Sequence, residues 1–217
     1  MGQFAIIGLG RFGSAAALEL MKLDHDVIGI DSSEKLVNKY ADQLSRAVIA
    51  DATDRKAIDE LALDGYDVVL VGIGADLESS LLCVVHLKSA GVKRIWVKAT
   101  SRAHHTILSK LGVERIIHPE DEMGVRAAQT LSYPMVDDYI SLGNGQFVVE
   151  VHIGETLHEA KLNDFLGAQP EKIHVLLIKR KSEIIVHPDN DFTLHTKDVM
   201  VLAGQLDTLK LIAPALT

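Results

Sequence analysis

The stretch QFAIIGLGRFGSAAALEL, from Gln3 to Leu20, spaces three glycines as a phosphate-binding turn requires, and DVIGID closes on an acid at Asp31. Gly8, Gly10 and Gly13 form G-L-G-R-F-G between an apolar run and an alanine-rich one. In a strand–turn–helix, Gly8 permits the tight turn, Gly10 lets a pyrophosphate approach the backbone, and Gly13 lets helix and strand pack closely. The helix N-terminus adds free N–H groups and a partial positive charge. Arg11, inside the turn, is either solvated surface or a bidentate partner for phosphate oxygens. Asp31 follows Gly13 by 18 residues, close to the ~20 expected of a carboxylate on ribose hydroxyls. It would repel a 2′-phosphate, which disfavours NADP. The alternative is a cap for a helix starting at Ser33.

Further residues fall where the same chemistry would use them. Asp51 and Ala52, in IADATD, would meet the base through side chain and backbone, or Asp51 caps a helix. Lys98, in WVKA, is a phosphate or ribose contact or a helix-flanking charge. Glu120, in RIIHPE, is either a first-turn acid favouring the helix dipole or a ligand for Mg²⁺ or Ca²⁺ near the phosphates. Phe12 in the turn, Ser32, Thr53, Ile73 and Gly74 complete the expected nucleotide contacts. These features point to an adenine nucleotide; dinucleotide and ATP readings share them.

Such residues need a sheet edge to bring them together. Short β-branched runs recur at Phe4, Asp26, Ala47, Asp67, Arg94 and Arg115, alternating with helical patterns. The runs are almost continuously apolar, as expected where helices cover both faces of a parallel sheet. The first half is therefore predicted to be a doubly wound, Rossmann-like α/β domain. Ser32 or Ser33, Thr53 or Asp54, and Ser101 are expected helix caps, and Gly91 and Gly112 expected stops. A sixth helix, EDEMGVRAAQTLS, follows HPE. Pro134 then breaks the pattern and the composition changes. FVVEVHI, a short helical TLHEAKLNDFL, a hairpin turning near Lys181 and Ser182, and DVMVLAGQ describe a smaller α+β unit. The boundary falls near 133–140, giving domains 1–135 and 136–217.

Composition narrows the function. Of 217 residues, 47% are hydrophobic and the net charge is −8. The acidic balance shows no basic stripe, so no nucleic acid is expected. The single cysteine, Cys83, sits among Leu81, Leu82, Val84 and Val85 and reads as a buried small hydrophobe. No signal peptide is expected and no apolar run nears the ~20 residues of a bilayer span. A cytoplasmic location is expected. Ten histidines are scattered; His104 and His105 are adjacent on a helix, about 100° apart, and do not make a metal pair. No CxxC, HExxH or Ser/His/Asp arrangement appears. The remaining residues are few for a dehydrogenase substrate domain. A non-enzyme is favoured, the alternative being a small NAD(H)-dependent oxidoreductase or redox sensor.

Taken in order, GLGRFG, ID at Asp31, IADATD, VGIGADLESSLL and WVKA…HPEDEMG resemble the regulatory RCK/KTN proteins, and within them the cytosolic regulatory subunits of Ktr-type potassium uptake systems. DVMVLAGQLDTLKLI is similar to the end of the RCK C-terminal domain. The resemblance implies an N-terminal domain that binds ATP or ADP, and sometimes NAD(H). It implies dimers assembled into an octameric ring on the cytoplasmic face of an integral-membrane potassium-translocating subunit. Arg11 would contact the γ-phosphate, Asp31 the ribose, and Glu120 a divalent cation between nucleotides; Lys98 maps to the lysine of WVKA. Some relatives carry asparagine where this chain has Asp51. In some relatives cyclic di-AMP binds between C-terminal domains. Discrimination of ATP from ADP must sit at the γ-phosphate, with the helix after Glu120 as a lever.

Overall fold

The computed structural model describes residues 1–74, 76–132, 136–167, 172–205 and 207–209, and of 136–139 the backbone alone. The chain divides into two compact units, Met1–Glu120 and Asp121–Thr217.

The first unit alternates strand and helix: β1 (Gln3–Ile7), α1 (Arg11–Lys22), β2 (Asp26–Asp31), α2 (Glu34–Tyr40), β3 (Arg46–Ile49), α3 (Arg55–Leu61), β4 (Val68–Val71), α4 (Leu77–Ser89), β5 (Ile95–Lys98), α5 (Arg102–Lys110) and β6 (Arg115–Ile117). The strands are all parallel, in the order β3-β2-β1-β4-β5-β6. Chain order reverses between β1 and β4. That reversal opens a crevice at the carboxyl ends of the strands, where ligands bind in sheets of this kind.

Strand periodicity sorts the apolar residues to two faces. Ala5, Ile7, Ile28, Ile30, Val69 and Val71 pack with Ile58 of α3, Val84 and Leu87 of α4 and Leu108 of α5. Ile6, Val27 and Leu70 pack with Ala17 of α1 and Val37 of α2. Both faces are covered, so the strands carry unbroken apolar runs. Cys83 is wholly buried, and burial pushes its thiol up to about 12, as suits a packing residue.

Local chemistry sets the helix ends. The side chains of Asp54, Asp76 and Ser101 accept hydrogen bonds from first-turn amides of α3, α4 and α5. Ser33 stands at the N-cap of α2 without a side-chain cap bond. Gly91 (φ +84°) stops α4: its N–H donates to the Lys88 carbonyl (3.1 Å) and Val92 N–H to that of Leu87 (3.0 Å), a left-handed cap that glycine adopts without strain.

The division between units falls in the first turn of α6 (Pro119–Ser132), ahead of the composition change near 133–140. Pro134, where the sequence pattern breaks, lies outside the described residues. No residue of α6 is buried. The second unit holds β7 (Val136–Gly143), β8 (Gln146–His152), α7 (Leu162–Leu166), β9 (Ile173–Arg180), β10 (Glu183–Val186) and β11 (Val199–Gln205). They form an antiparallel sheet, β10-β9-β11-β8-β7. Val149, Val151, Ile178, Met200 and Leu202 build its core with Leu162, Phe165 and Leu166 of α7. The hairpin turns at Lys181 and Ser182, as predicted. The expected helical stretch TLHEAKLNDFL splits into a 3₁₀ turn, Glu155–Leu157, and α7. Glu159 between them is left-handed (φ +64°) and Lys161 bridges to Thr193, which breaks continuous helix. Asp198, only 2% exposed at its side chain, accepts from Arg180 Nε (2.9 Å) and Nη2 (2.7 Å) and from the His195 N–H (2.9 Å). Among the described residues no helix is long and apolar enough to cross a membrane.

Candidate functional site

The turn after β1 is held by backbone. Gly8 is left-handed (φ +93°), and its N–H donates to the Ile30 carbonyl at 2.8 Å. Gly13 has no room for a side chain: a Cβ there would lie 1.9 Å from the Gly8 carbonyl oxygen. Gly10 is the opposite case. It is the N-cap of α1, no side chain caps the helix, and a Cβ built there meets nothing within 4 Å. The first-turn amides of α1 therefore open onto space rather than packed side chains, the arrangement that receives an anion.

Asp31 ties this turn to the next. One carboxylate oxygen accepts from the Leu9 N–H (2.7 Å), the other from the Ser33 N–H (2.8 Å). The cap at Ser33 and the reach toward the glycine turn, alternatives in the sequence, are served by the two oxygens of one side chain. Each oxygen keeps a lone pair for a further donor such as a ribose hydroxyl. Ser32 beside it is exposed.

The third-strand residues are more self-contained. Asp51 Oδ1 accepts from the Thr53 N–H (2.9 Å) and hydroxyl (2.7 Å), and these bonds lower its carboxyl from the ordinary range. Ala52 is buried in the core, and the Thr53 carbonyl pairs with His86 Nε2 at 3.0 Å. The side chains of Asp51, Ala52 and Thr53 are thus engaged within the protein, leaving backbone toward a base.

Across the crevice, β4 runs into Ile73, half-buried against the core, and exposed Gly74. A Cβ on Gly74 would stand 3.3 Å from Lys98 Nζ, at the end of β5. The Lys98 side chain is 14% exposed, its ammonium 5.9 Å from the Phe12 ring centroid and 2.5 Å from Glu120 Oε1. The Lys98 bond is the chief reason the Glu120 carboxyl is held below the usual range, and the charge of Arg11 adds to it. Gly8, Gly10, Arg11, Phe12, Gly13, Gly74, Lys98 and Glu120 therefore come together at one edge, with Asp31 behind the turn. Two cations, one carboxylate and open helix amides suit a phosphorylated ligand. They do not by themselves suit a divalent cation. Among the described residues no three His, Cys, Asp or Glu side chains cluster as metal ligands, and Glu120 is already bonded to an ammonium.

Sequence reasoning passed over the histidines beside this edge. His104 is fully buried, with Nδ1 3.3 Å from both the N–H and the hydroxyl oxygen of Thr100. Burial, and then the charge of His118, push its imidazole below the ordinary range. The separation of four residues between Thr100 and His104, one helical turn, was the available signal. His105 Nδ1 lies 2.8 Å from His118 Nε2 with the rings stacked, so one nitrogen carries the shared proton. No spacing in the sequence links those two residues.

Comparison with known proteins places this geometry. Residues 4–119 match the profile of the TrkA-N domain. The chain is 39% identical over 207 residues to the Ktr system potassium uptake protein A of Vibrio alginolyticus, covering 95% of this chain and 94% of that protein. The solved GsuK RCK domain superposes with a TM-score of 0.66 over 99% of this chain at 13% identity; this chain spans 47% of that one. The GsuK channel bound to NAD gives 0.65 over all of this chain at 12% identity, and this chain spans 39% of it.

Proposed function

The chain belongs to the TrkA-N family, and on that premise we propose that it is a regulatory subunit that senses ATP against ADP and gates a membrane potassium transporter, with no turnover of its own. The observation that carries the reading is the edge at Gly10. Uncapped helix amides, Arg11 and Lys98 converge on open space. No nucleophile–base pair is needed for that edge to distinguish phosphate states. ATP and ADP differ only at the γ-phosphate, so a switch between them needs a group whose contact exists for one ligand and not the other. Arg11 is that group in this proposal, and Asp31 holds the ribose. Glu120 is the acid assigned to Mg²⁺ or Ca²⁺, the remaining ligands being phosphate oxygens, water or a second protomer. The relative from Vibrio alginolyticus is named as a potassium uptake protein, which supports the potassium transporter as partner and a cytoplasmic, membrane-peripheral location. Homodimers assembling into an octameric ring, and cyclic di-AMP at the C-terminal unit, belong to the same proposal.

A second reading, NAD(H) sensing, is favoured by Asp31, whose position behind the glycine turn serves the ribose of a dinucleotide equally well, and by the NAD-bound structural neighbour. Calorimetric titration of the purified chain with ATP, ADP, NADH and NAD⁺, with and without Mg²⁺, separates the readings. Cation-sensitive ATP and ADP binding is expected. Tight NADH binding with indifference to ATP would refute the phosphate-state role of Arg11.

A further inference from the structure

Glu120 is assigned above to a divalent cation, yet in the structure its oxygen is taken by Lys98 at 2.5 Å. That separation lies within the ~2.3–2.6 Å at which Ca²⁺ holds a carboxylate oxygen. The ammonium thus stands where the ion would stand. A dication and an ammonium both against Oε1 would repel strongly, so binding of one expels the other. The lysine has little freedom to withdraw. Its side chain is mostly buried, with the Phe12 ring on one side and Gly74 close to Nζ on another. Its ammonium sits at the carboxyl edge that the first turn of α1 and Arg11 share.

We propose that Lys98 is a resident counter-cation of Glu120 that makes divalent-ion binding conditional on a nucleotide phosphate, because only a phosphate offers the displaced ammonium a new partner. This rests on the nucleotide reading above and adds the regulation of its cation. Without nucleotide, an ion reaching Glu120 strands a partly buried ammonium. With a terminal phosphate present, the ammonium exchanges a carboxylate for a phosphate oxygen and the obstacle is removed. Ion and nucleotide are then positively coupled through one side chain, and by linkage each raises the affinity of the other by the same factor. The glycine at position 74 follows from the same geometry, since a Cβ there would stand 3.3 Å from Nζ and crowd its exchange between partners.

The test uses Mn²⁺ alone, followed by electron paramagnetic resonance of the free ion, on the full chain and on Lys98→Met, Lys98→Arg, Glu120→Gln and the Lys98→Met/Glu120→Gln pair. Binding that depends on Glu120 is expected to strengthen about tenfold in Lys98→Met, to vanish in the double variant, and to stay at the wild-type level in Lys98→Arg, which keeps the charge. The factor by which Mg²⁺ raises ATP affinity is expected to fall toward one in Lys98→Met. Glu120-dependent Mn²⁺ binding equal in wild type and Lys98→Met would overturn the proposal, as would none in either. Failure of the wild type to bind ATP at all would refute the nucleotide reading instead, and the Mn²⁺ series would still decide whether Lys98 and the ion compete.

Discussion

Two glycines three residues apart in the same turn are expected to respond oppositely to alanine. At Gly13 the added Cβ would sit 1.9 Å from the Gly8 carbonyl oxygen, where carbon–oxygen contacts need about 3.3 Å, so the backbones must part by about 1.4 Å. The oxygen has little room to retreat. Gly8 is fixed by its own N–H bond to the Ile30 carbonyl, and Gly72 crowds it from β4, where a Cβ would already approach that oxygen to 3.2 Å. Gly13→Ala is therefore expected to cost about 3 kcal/mol or more of folding stability, the upper range for overpacking. At Gly10 the methyl group meets nothing within 4 Å and φ is −65°, ordinary for alanine. Alanine is a poorer N-cap than glycine but loses less backbone entropy on folding. The two effects oppose, leaving a net change within about 1 kcal/mol. The methyl would, however, fill the space through which a pyrophosphate reaches the helix amides. A loss of about 2 kcal/mol in nucleotide affinity, roughly thirtyfold, is expected. Urea denaturation of the free proteins and calorimetric ATP titration measure the two effects. Gly13→Ala folding like wild type would refute the packing argument. Gly10→Ala binding ATP like wild type would refute the placement of the phosphates over that residue.

Arg11→Ala is expected to reduce the ratio of ATP to ADP affinity by about tenfold, since a charge-assisted contact to the γ-phosphate is lost with one ligand only; unchanged selectivity in paired titrations removes the residue from that role. Asp198→Ala should destabilise the second unit by about 3 kcal/mol, because it leaves Arg180 without its buried partner; a melting temperature within a degree or two of wild type would argue otherwise. Burial alone would raise the Asp198 carboxyl, but the Arg180 and His195 bonds hold it below its ordinary range. Its contribution is therefore present above the ordinary carboxylate pKa and lost as pH falls through the depressed one, and urea midpoints of wild type should lose that increment on acidification while those of Asp198→Ala do not. His104 titrates below its ordinary 6.5 chiefly through burial, so the unfolded chain takes up a proton that the folded chain refuses. Stability should fall as pH drops below about 6.5, and His104→Gln should flatten that slope in urea midpoints taken between neutral and mildly acid pH; an identical slope would show that other groups set it.

Much of the first unit was legible because its signals are local. The apolar runs carry both faces of the sheet, so they mark strands without reference to partners. The Gly8–Gly10–Gly13 spacing encodes a turn whose steric demands arise within a few residues. The left-handed stop at Gly91 and the caps at Asp54 and Ser101 are likewise settled by neighbours one turn away. β7 was not foreseen. VDDYISLG is an edge strand paired only with β8, and its acidic run masks the pattern that a strand packed on both sides would show.

What tertiary structure alone decided is which side chains meet. Lys98 and Glu120 are 22 residues apart, and their contact exists because β5 and β6 pair in parallel and end at one edge. His105 finds His118 for the same reason, across a helix and a strand. Asp31 was readable as an acid at the right distance from the glycines. That its two oxygens would each take a backbone amide, one from the glycine turn and one from the start of α2, follows only from the hydrogen-bond register of β1 beside β2. Sequence spacing determines the conformations of neighbouring residues, through sterics and local hydrogen bonds. Meetings between distant charges depend on strand order and register, which the packing of the whole sheet selects.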